Sequence, residues 1–194
     1  HGAETEIIQL RESLFREISG TQSPVGIAAV IEIPGTGSVP MANVDCVVLD
    51  GVQDAGNVGS ILRTSAAAGI PLVVLGPGCA GAWTPRVLRA AQGAHFSLTI
   101  AEQSDLSAWL SAYSGTSYAA VATGGSSLYD LRLQHPAAWV FGSEGRGIRG
   151  EILELCVNAF TIPMATTSES LNVAAAAAIG IYEGFRQRQR MQLE

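Results

Sequence analysis

The sequence predicts an α/β protein in which helices cover both faces of a parallel sheet. The prediction depends on short apolar runs that alternate with helical stretches through most of the chain. A chain of 194 residues with 47% hydrophobic positions can also bury a core, which excludes a disordered protein. Since no apolar run approaches the roughly 20 residues of a membrane span, a soluble and cytoplasmic protein with no membrane partner is expected.

The first 40 residues are predicted to be separate from the sheet. Apolar residues at helical spacing predict an amphipathic helix at residues 5–19, and a short apolar run predicts a strand at 25–31. Glycine and proline then indicate a linker at residues 33–40. Because these elements are too few for a complete domain, we interpret residues 1–40 as the remnant or tail of an N-terminal domain plus a linker, followed by the main domain at 41–194.

The main domain alternates between the two kinds of element. Short apolar runs predict six strands, at residues 44–49, 72–75, 95–100, 118–122, 138–141 and 159–162. Helical stretches predict five helices, at residues 57–68, 84–91, 105–111, 149–155 and 171–188. Ligands of such sheets bind beyond the carboxyl ends of the strands. Three loops rich in glycine and polar residues therefore lie on the expected functional edge, at residues 50–57, 142–147 and 163–170.

The charged residues and cysteines restrict the kinds of ligand. Seventeen acidic and eleven basic residues give a net charge of −6, which argues against a protein that holds nucleic acid by bulk positive charge. All eleven basic residues are arginines, however, and their planar fork suits a local phosphate site. The three cysteines lie far apart without a nearby histidine cluster, which predicts reduced thiols and no metal site.

The loop after the first predicted strand carries Asn57, Gly59 and Arg63. Helical spacing can aim Arg63 at the same edge as Asn57. A plain alternative has Asn57 capping the helix and Arg63 pairing with a surface acid, and spacing alone does not decide between the two. A dinucleotide site is disfavoured because the loop lacks the G-x-G-x-x-G pattern.

The other two loops are also ambiguous when each is taken alone. Three glycines within residues 142–147 allow backbone amides to approach a ligand, although a plain tight turn is the commoner explanation of such a loop. Ser170 can cap the helix that is predicted to start at Leu171, with or without a further role. Five alanines at 174–178 allow another backbone to approach closely, either within the chain or across a subunit interface.

Together and in this order, the three loops resemble the signature motifs of the SpoU (TrmH-type) branch of the SPOUT RNA methyltransferases. The matching patterns are N-x-G-x-x-x-R starting at Asn57, G-S-E-G-x-G starting at Gly142, and I-P-M…E-S-L-N-V starting at Ile162. The resemblance covers about residues 44–185 and implies transfer of a methyl group from S-adenosylmethionine to a ribose 2′-hydroxyl of rRNA or tRNA. It also implies a C-terminal trefoil knot and a homodimer whose active site lies near the subunit boundary.

The resemblance also implies which residues form the site. The polar catalytic group would consist of Arg63, Asn57, Glu144, Ser170 and Asn172. The S-adenosylmethionine pocket would be built by Val121, Ala122, Thr123, Gly142, Ser143, Ile162, Met164, Ser170 and Leu171, with no metal. Since a guanidinium scarcely loses its proton, Arg63 is expected to clamp an RNA phosphate and stabilise the developing alkoxide. Asn57 and Asn172 would position the ribose or hold the loop, and Glu144 would orient Arg63 or Asn57.

Further RNA contacts are expected from arginines outside this group. The candidates are Arg86, Arg89, Arg146, Arg149, Arg186, Arg188 and Arg190, each of which could equally lie on a solvated face. The fragment before the linker is similar to the end of a ribosomal-protein-like RNA-binding domain, which favours rRNA over tRNA. Two alternatives stay open: a SPOUT enzyme that methylates a base nitrogen, and an RNA-binding or assembly factor that keeps the fold without catalysis.

Overall fold

The computed structural model describes residues 6–20, 23–34, 43–133, 135–165 and 170–191. By its internal contacts the chain divides into two units, His1–Gly35 and Thr36–Glu194. Across the described ranges, no helix has both the length and the apolar character needed to cross a membrane.

The described part of the first unit contains one helix, α1 (Glu12–Ser19). Gly20 ends it in a left-handed conformation with a φ of 59°. The helix predicted at residues 5–19 is therefore too long, because residues 6–11 are not helical and Thr5 lies outside the described residues.

The strand predicted at residues 25–31 is wrong, because these residues form no strand in the structure. Val25, Ile27 and Val30 are almost fully exposed. An isolated apolar run gains neither hydrogen bonds nor burial from an extended conformation unless a second strand or an apolar surface covers it. Residues 35–40 of the predicted linker lie outside the described part of the chain.

The second unit is built on a seven-stranded parallel sheet in the described residues, which confirms the predicted α/β class. Its strands are β1 (Cys46–Asp50), β2 (Leu72–Leu75), β3 (Thr99–Ala101), β4 (Thr116–Ala120), β5 (Ser126–Ser127), β6 (Ala137–Gly142) and β7 (Asn158–Thr161). Their order in space is β3-β2-β1-β6-β4-β7-β5. The sequence did not predict β5, because two serines form no apolar run.

The strand predicted at residues 95–100 is displaced in the structure. Ala94–Phe96 form a turn of 3-10 helix, and only Thr99–Ala101 pair with β2. Gly93 precedes this turn with a φ of 86°, a conformation that glycine adopts without strain. The first residues of the predicted strand therefore form a turn, and the chain joins the sheet only at Thr99.

Five α-helices of the second unit fall within the described residues. They are α2 (Ala55–Ala67), α3 (Pro85–Ala91), α4 (Leu106–Ala112), α5 (Gly150–Leu153) and α6 (Val173–Met191). Alternate residues of β1 point to opposite faces of the sheet, as the pleat of a strand requires. Val47 packs in a core with residues of α2, α3 and α6, whereas Val48 packs in a second core with residues of α4 and α5.

The strand order brings the ends of several distant segments together. From β1 the chain first adds β2 and β3 on one side, and it later returns to place β6 on the other side of β1. Asp50, the last residue of β1, is paired in register with Gly142, the last residue of β6. Reversal of the strand order at such a point leaves a crevice beyond the carboxyl ends of the strands, where ligands of α/β sheets bind.

The opposite end of the sheet is fixed by Asp45, which precedes β1. Its carboxylate contacts His135 Nδ1 at 2.9 Å, accepts a hydrogen bond from the backbone N–H of Ala137 at 2.8 Å, and pairs with Arg188 Nη1 at 2.7 Å. Burial works to raise the pKa of Asp45, but these contacts outweigh burial and hold the pKa below its ordinary value. The carboxylate therefore ties β6 and α6 to the start of β1.

Candidate active site

A cleft of about 630 Å³ lies beyond the carboxyl ends of β4, β6 and β7 and beside the start of α6. This volume is in the range of small-molecule sites in proteins. All nine residues expected at the cofactor pocket line the cleft, namely Val121, Ala122, Thr123, Gly142, Ser143, Ile162, Met164, Ser170 and Leu171. Their role as cofactor ligands stays a prediction. Residues 166–169 of the third loop lie outside the described residues.

A row of hydrogen bonds connects three of the five residues expected in the catalytic group. Asn57 Nδ2 donates to Glu144 Oε1 at 2.7 Å, and Asn172 Nδ2 donates to Asn57 Oδ1 at 3.0 Å. Glu144 and Asn172 line the cleft, so this row lies at its rim. The structure therefore brings the three signature motifs together through one side chain from each.

Helix capping at the site differs from the sequence-based alternatives. Asp54 caps α2, because its side chain accepts a hydrogen bond from the backbone N–H of Asn57 at 2.8 Å. Asn57 is therefore not the cap, and its side chain turns to Glu144 instead. The last helix begins at Val173 rather than Leu171, and Asn172 Oδ1 accepts hydrogen bonds from the first turn of that helix. Asn172, not Ser170, is thus the residue in the capping position.

The loop that carries Glu144 is a tight turn closed by its own backbone. Ser143 and Gly147 exchange two backbone hydrogen bonds of 3.1 and 2.9 Å. A side chain at Gly142 would overlap the backbone of Gly147 and Ile148, so only glycine allows this return of the chain. The glycines expected to admit a ligand therefore also serve the turn itself.

Arg63 is not joined to the row of hydrogen bonds. It is exposed on α2 and does not line the cleft. Within the described ranges no hydrogen bond or ion pair of its side chain is found, so the alternative of a surface ion pair receives no support. Helix geometry places it six residues, or about one and two-thirds turns, beyond Asn57.

The walls of the cleft include apolar residues that the sequence did not single out. Phe141, Phe160, Val173 and Ala176 line it beside the predicted residues. Residues of this type in strands and helices look like ordinary core residues in a sequence, so no signal could have marked them as part of a site. Their presence gives the cleft an apolar wall next to the polar rim.

These walls are compatible with S-adenosylmethionine. The apolar wall suits an adenine ring, and Gly142, Gly145 and Gly147 add no side chains to the lining of the cleft. Of the described residues that line the cleft, only Glu144 and Arg146 carry charge, and a carboxylate is a suitable neighbour for a sulfonium cation. Among the residues that the structure describes, no group of three or more potential metal ligands is found.

Three of the seven arginines that were candidates for RNA contacts form ion pairs with carboxylates of the same chain. Arg149 pairs with Asp50 and Glu151, Arg186 pairs with Glu183, and Arg188 pairs with Asp45. Arg149 and Arg188 therefore join separate segments of the fold, and Arg186 forms its ion pair within α6. For them, a structural role is better supported than an RNA contact.

Comparison with known proteins identifies the family. The profile of the SpoU rRNA Methylase family matches residues 45–182. The 23S rRNA (guanosine(2553)-2'-O)-methyltransferase RlmP of Bacillus subtilis is 35% identical over 176 residues, which cover 89% of this chain and 70% of RlmP. The 23S rRNA (guanosine-2'-O-)-methyltransferase RlmB of Bordetella pertussis is 36% identical over 152 residues, which cover 73% of this chain and 59% of that protein.

Solved structures agree with the sequence comparisons. A Porphyromonas gingivalis protein assigned to the TrmH family of RNA methyltransferases has a TM-score of 0.88 and 37% identity, over 96% of this chain and 77% of that one. The SpoU methyltransferase AviRb of Streptomyces viridochromogenes, in complex with AdoMet, has a TM-score of 0.71 and 28% identity, over 76% of this chain and 62% of that one. The chain belongs to the SpoU rRNA methylase family.

Proposed function

We propose that this chain transfers a methyl group from S-adenosylmethionine to a ribose 2′-hydroxyl of RNA, with rRNA favoured over tRNA. The observation that carries the proposal is the row of hydrogen bonds from Asn172 through Asn57 to Glu144 at the rim of the cleft. The names of RlmP and RlmB, both 2′-O-methyltransferases of 23S rRNA, support the same reaction and the same class of RNA.

The amide of Asn57 is suited to hold a ribose. Each amide offers two N–H donors and two lone pairs. In Asn57, one N–H goes to Glu144 and one lone pair accepts from Asn172, which fixes the orientation of the amide. One donor and one acceptor then remain for the hydroxyls of a nucleotide. We therefore assign the alignment of the ribose to Asn57, and the orientation of Asn57 to its two partners.

Alignment is the main contribution that the chain has to make. S-adenosylmethionine, when bound, supplies a methyl group on a sulfonium. The neutral thioether that remains after transfer is a good leaving group. Holding the ribose oxygen in line can contribute roughly 7–11 kcal/mol to the rate. The hydroxyl also has to lose its proton, which passes to an RNA phosphate oxygen or to water, while Arg63 is assigned to stabilise the developing negative charge and to hold that phosphate.

A homodimer is part of the proposal. Arg63 is exposed and outside the cleft of its own chain, which is the placement expected if a second subunit completes the site. The trefoil knot, which the family resemblance implies, stays a prediction. We also propose that residues 1–40 belong to an RNA-binding domain and its linker, as the resemblance of this segment suggests.

The proposal is tested by incubating the full chain with radiolabelled S-adenosylmethionine and an unmodified transcript of 23S rRNA. We expect label in the RNA and, after alkaline hydrolysis, an alkali-resistant dinucleotide, because a methylated 2′-oxygen cannot attack the neighbouring phosphate. A DNA of the same sequence lacks the 2′-hydroxyl and is the matched control. Parallel reactions with unmodified tRNA transcripts compare the two RNA classes.

Three results would contradict parts of the proposal. Label on a base after digestion to nucleosides would indicate a base-modifying enzyme. The absence of S-adenosylmethionine binding by calorimetry would indicate an RNA-binding factor without catalysis. Faster transfer to tRNA than to 23S rRNA would show that tRNA, not rRNA, is the preferred substrate.

A further inference from the structure

A second cleft, of about 430 Å³, lies between the start of α2 and the side of α3. Residues 53–56 form one wall, and Arg86 and Arg89 contribute to the other. The two arginines are three residues apart in α3, so they lie on the same face of the helix. Both are exposed to solvent.

Gly59 allows α3 to lie close to α2 at this cleft. A side chain at Gly59 would overlap the side chain of Ala90 and would place its Cβ 2.9 Å from the carbonyl oxygen of Val87. Gly59 is buried in the core, so its lack of a side chain serves this helix contact. The glycine of the N-x-G pattern therefore helps to bring the arginines of α3 beside the loop that carries Asn57.

The two arginines differ from the arginines that stabilise the fold. Arg149, Arg186 and Arg188 each pair with a carboxylate. In the described part of the chain, no hydrogen bond or ion pair is found for the guanidinium of Arg86 or of Arg89. The carboxylate that lines this cleft belongs to Asp54, and it already accepts a hydrogen bond from the backbone of α2.

The first turn of α2 takes part in both clefts. Residues 53–56 line the second cleft, and the side chain of Asn57 bonds with Glu144 and Asn172 of the first. An RNA strand with its reacting ribose at Asn57 would therefore have a neighbouring phosphate close to the two arginines. Because the chain carries a net charge of −6, such local positive groups have to provide the attraction for RNA.

We propose that Arg86 and Arg89 bind the phosphodiester backbone of RNA next to the nucleotide that is methylated. This inference rests on the proposed function, and it adds the site where the substrate backbone is held. The planar fork of arginine matches two phosphate oxygens, and phosphate contacts position an RNA without reading its sequence. The two arginines are thus binding residues for the substrate, outside the cleft assigned to the cofactor.

The test compares the native chain with the double variant Arg86→Gln and Arg89→Gln. Filter binding measures the affinity for an unmodified 23S rRNA transcript at several salt concentrations. We expect the double variant to bind about tenfold more weakly, with a salt slope reduced by about one and a half, since two phosphate contacts are lost. Arg132→Gln is the control for the loss of an exposed guanidinium elsewhere on the surface, because Arg132 is also exposed but lines neither cleft.

The methyl transfer reaction supplies a second measurement. In the double variant, KM for RNA should rise about tenfold while kcat at saturating RNA and the calorimetric Kd for S-adenosylmethionine change less than about threefold. A salt slope and affinity equal to those of Arg132→Gln, or a native chain that does not bind the transcript, would overturn the assignment. If the native chain binds RNA but transfers no methyl group, the proposed function fails while the salt slopes still decide the role of the arginines.

Discussion

The carboxylate of Asp50 holds Arg149 through two hydrogen bonds of 2.8 Å, one from the backbone N–H and one from Nε. The backbone of Asp50 is also paired in register with Gly142. Both ends of the segment that carries Glu144 are therefore attached to the last residue of β1. The hydrogen bond that Arg149 donates to Asp50 raises the pKa of the Arg149 guanidinium.

Replacing Asp50 by asparagine should loosen this attachment. Asp50 is 2% exposed, so its hydrogen bonds are protected from water, and we expect Asp50→Asn to lower the free energy of unfolding by about 1–3 kcal/mol. Glu151→Gln is the matched control, because Glu151 contacts the same guanidinium at 2.7 Å but is 63% exposed. Its effect should stay within about 0.5 kcal/mol. Urea unfolding measures both, and equal effects would show that Asp50 has no special role.

The contact between Asn57 and Glu144 predicts that their substitutions are not additive. Glu144→Ala and Asn57→Ala should each lower kcat about 10- to 100-fold, because Asn57→Ala removes the amide that aligns the ribose and Glu144→Ala leaves this amide without its fixed orientation. The double variant should be little worse than the single variants, since both remove the same orientation. Single-turnover rates with the 23S rRNA transcript are measured for the native chain, the two single variants and the double variant. Effects that multiply would indicate two independent roles.

Most strands were predictable because buried parallel strands are continuous apolar runs. The run at residues 72–75 is an example, since it coincides with β2. The apolar run at 25–31 has the same appearance but forms no strand, because pairing depends on neighbours that a local pattern does not contain. The two serines of β5 show the reverse case. They have no apolar pattern, yet they form a strand because they pair with β7.

The site was predictable only in part, and chiefly from the combination of motifs. Asn57 and Glu144 are 87 residues apart, and nothing in their spacing predicts a hydrogen bond of 2.7 Å. Asn57 was equally compatible with a capping role, and the decision depends on Asp54, which takes that position three residues earlier. Phe160 lines the cleft, but the sequence could not distinguish it from a core residue, because apolar strand residues occur both in cores and in the walls of sites.

Removal of the Arg63 guanidinium should affect the reaction far more than folding. Arg63 is exposed and unpaired within the described residues, so Arg63→Ala should leave the melting temperature and the affinity for S-adenosylmethionine nearly unchanged. Methyl transfer should fall by about 100-fold or more, as expected for the loss of a charge-stabilising donor. Arg132→Ala provides the control for loss of one exposed charge. Full activity of Arg63→Ala would remove Arg63 from the mechanism.

The contacts of Asp45 predict how stability depends on pH. Because the folded-state pKa of Asp45 is lowered, its contribution is fully present above the ordinary pKa of 3.8 and is lost as the pH falls through the folded value. At neutral pH, Asp45→Asn should therefore be less stable by about 1–3 kcal/mol, and the difference from the native chain should shrink as the pH falls below 3.8 and through the folded-state pKa. Arg188→Gln removes one of the groups that lower this pKa, so its pH-dependent loss of stability should be smaller and should be complete at a higher pH. Urea unfolding between about pH 2 and 7 measures all three proteins, and a constant difference from pH 7 down to the acid end of this range would show that the Asp45 carboxylate does not supply the pH dependence.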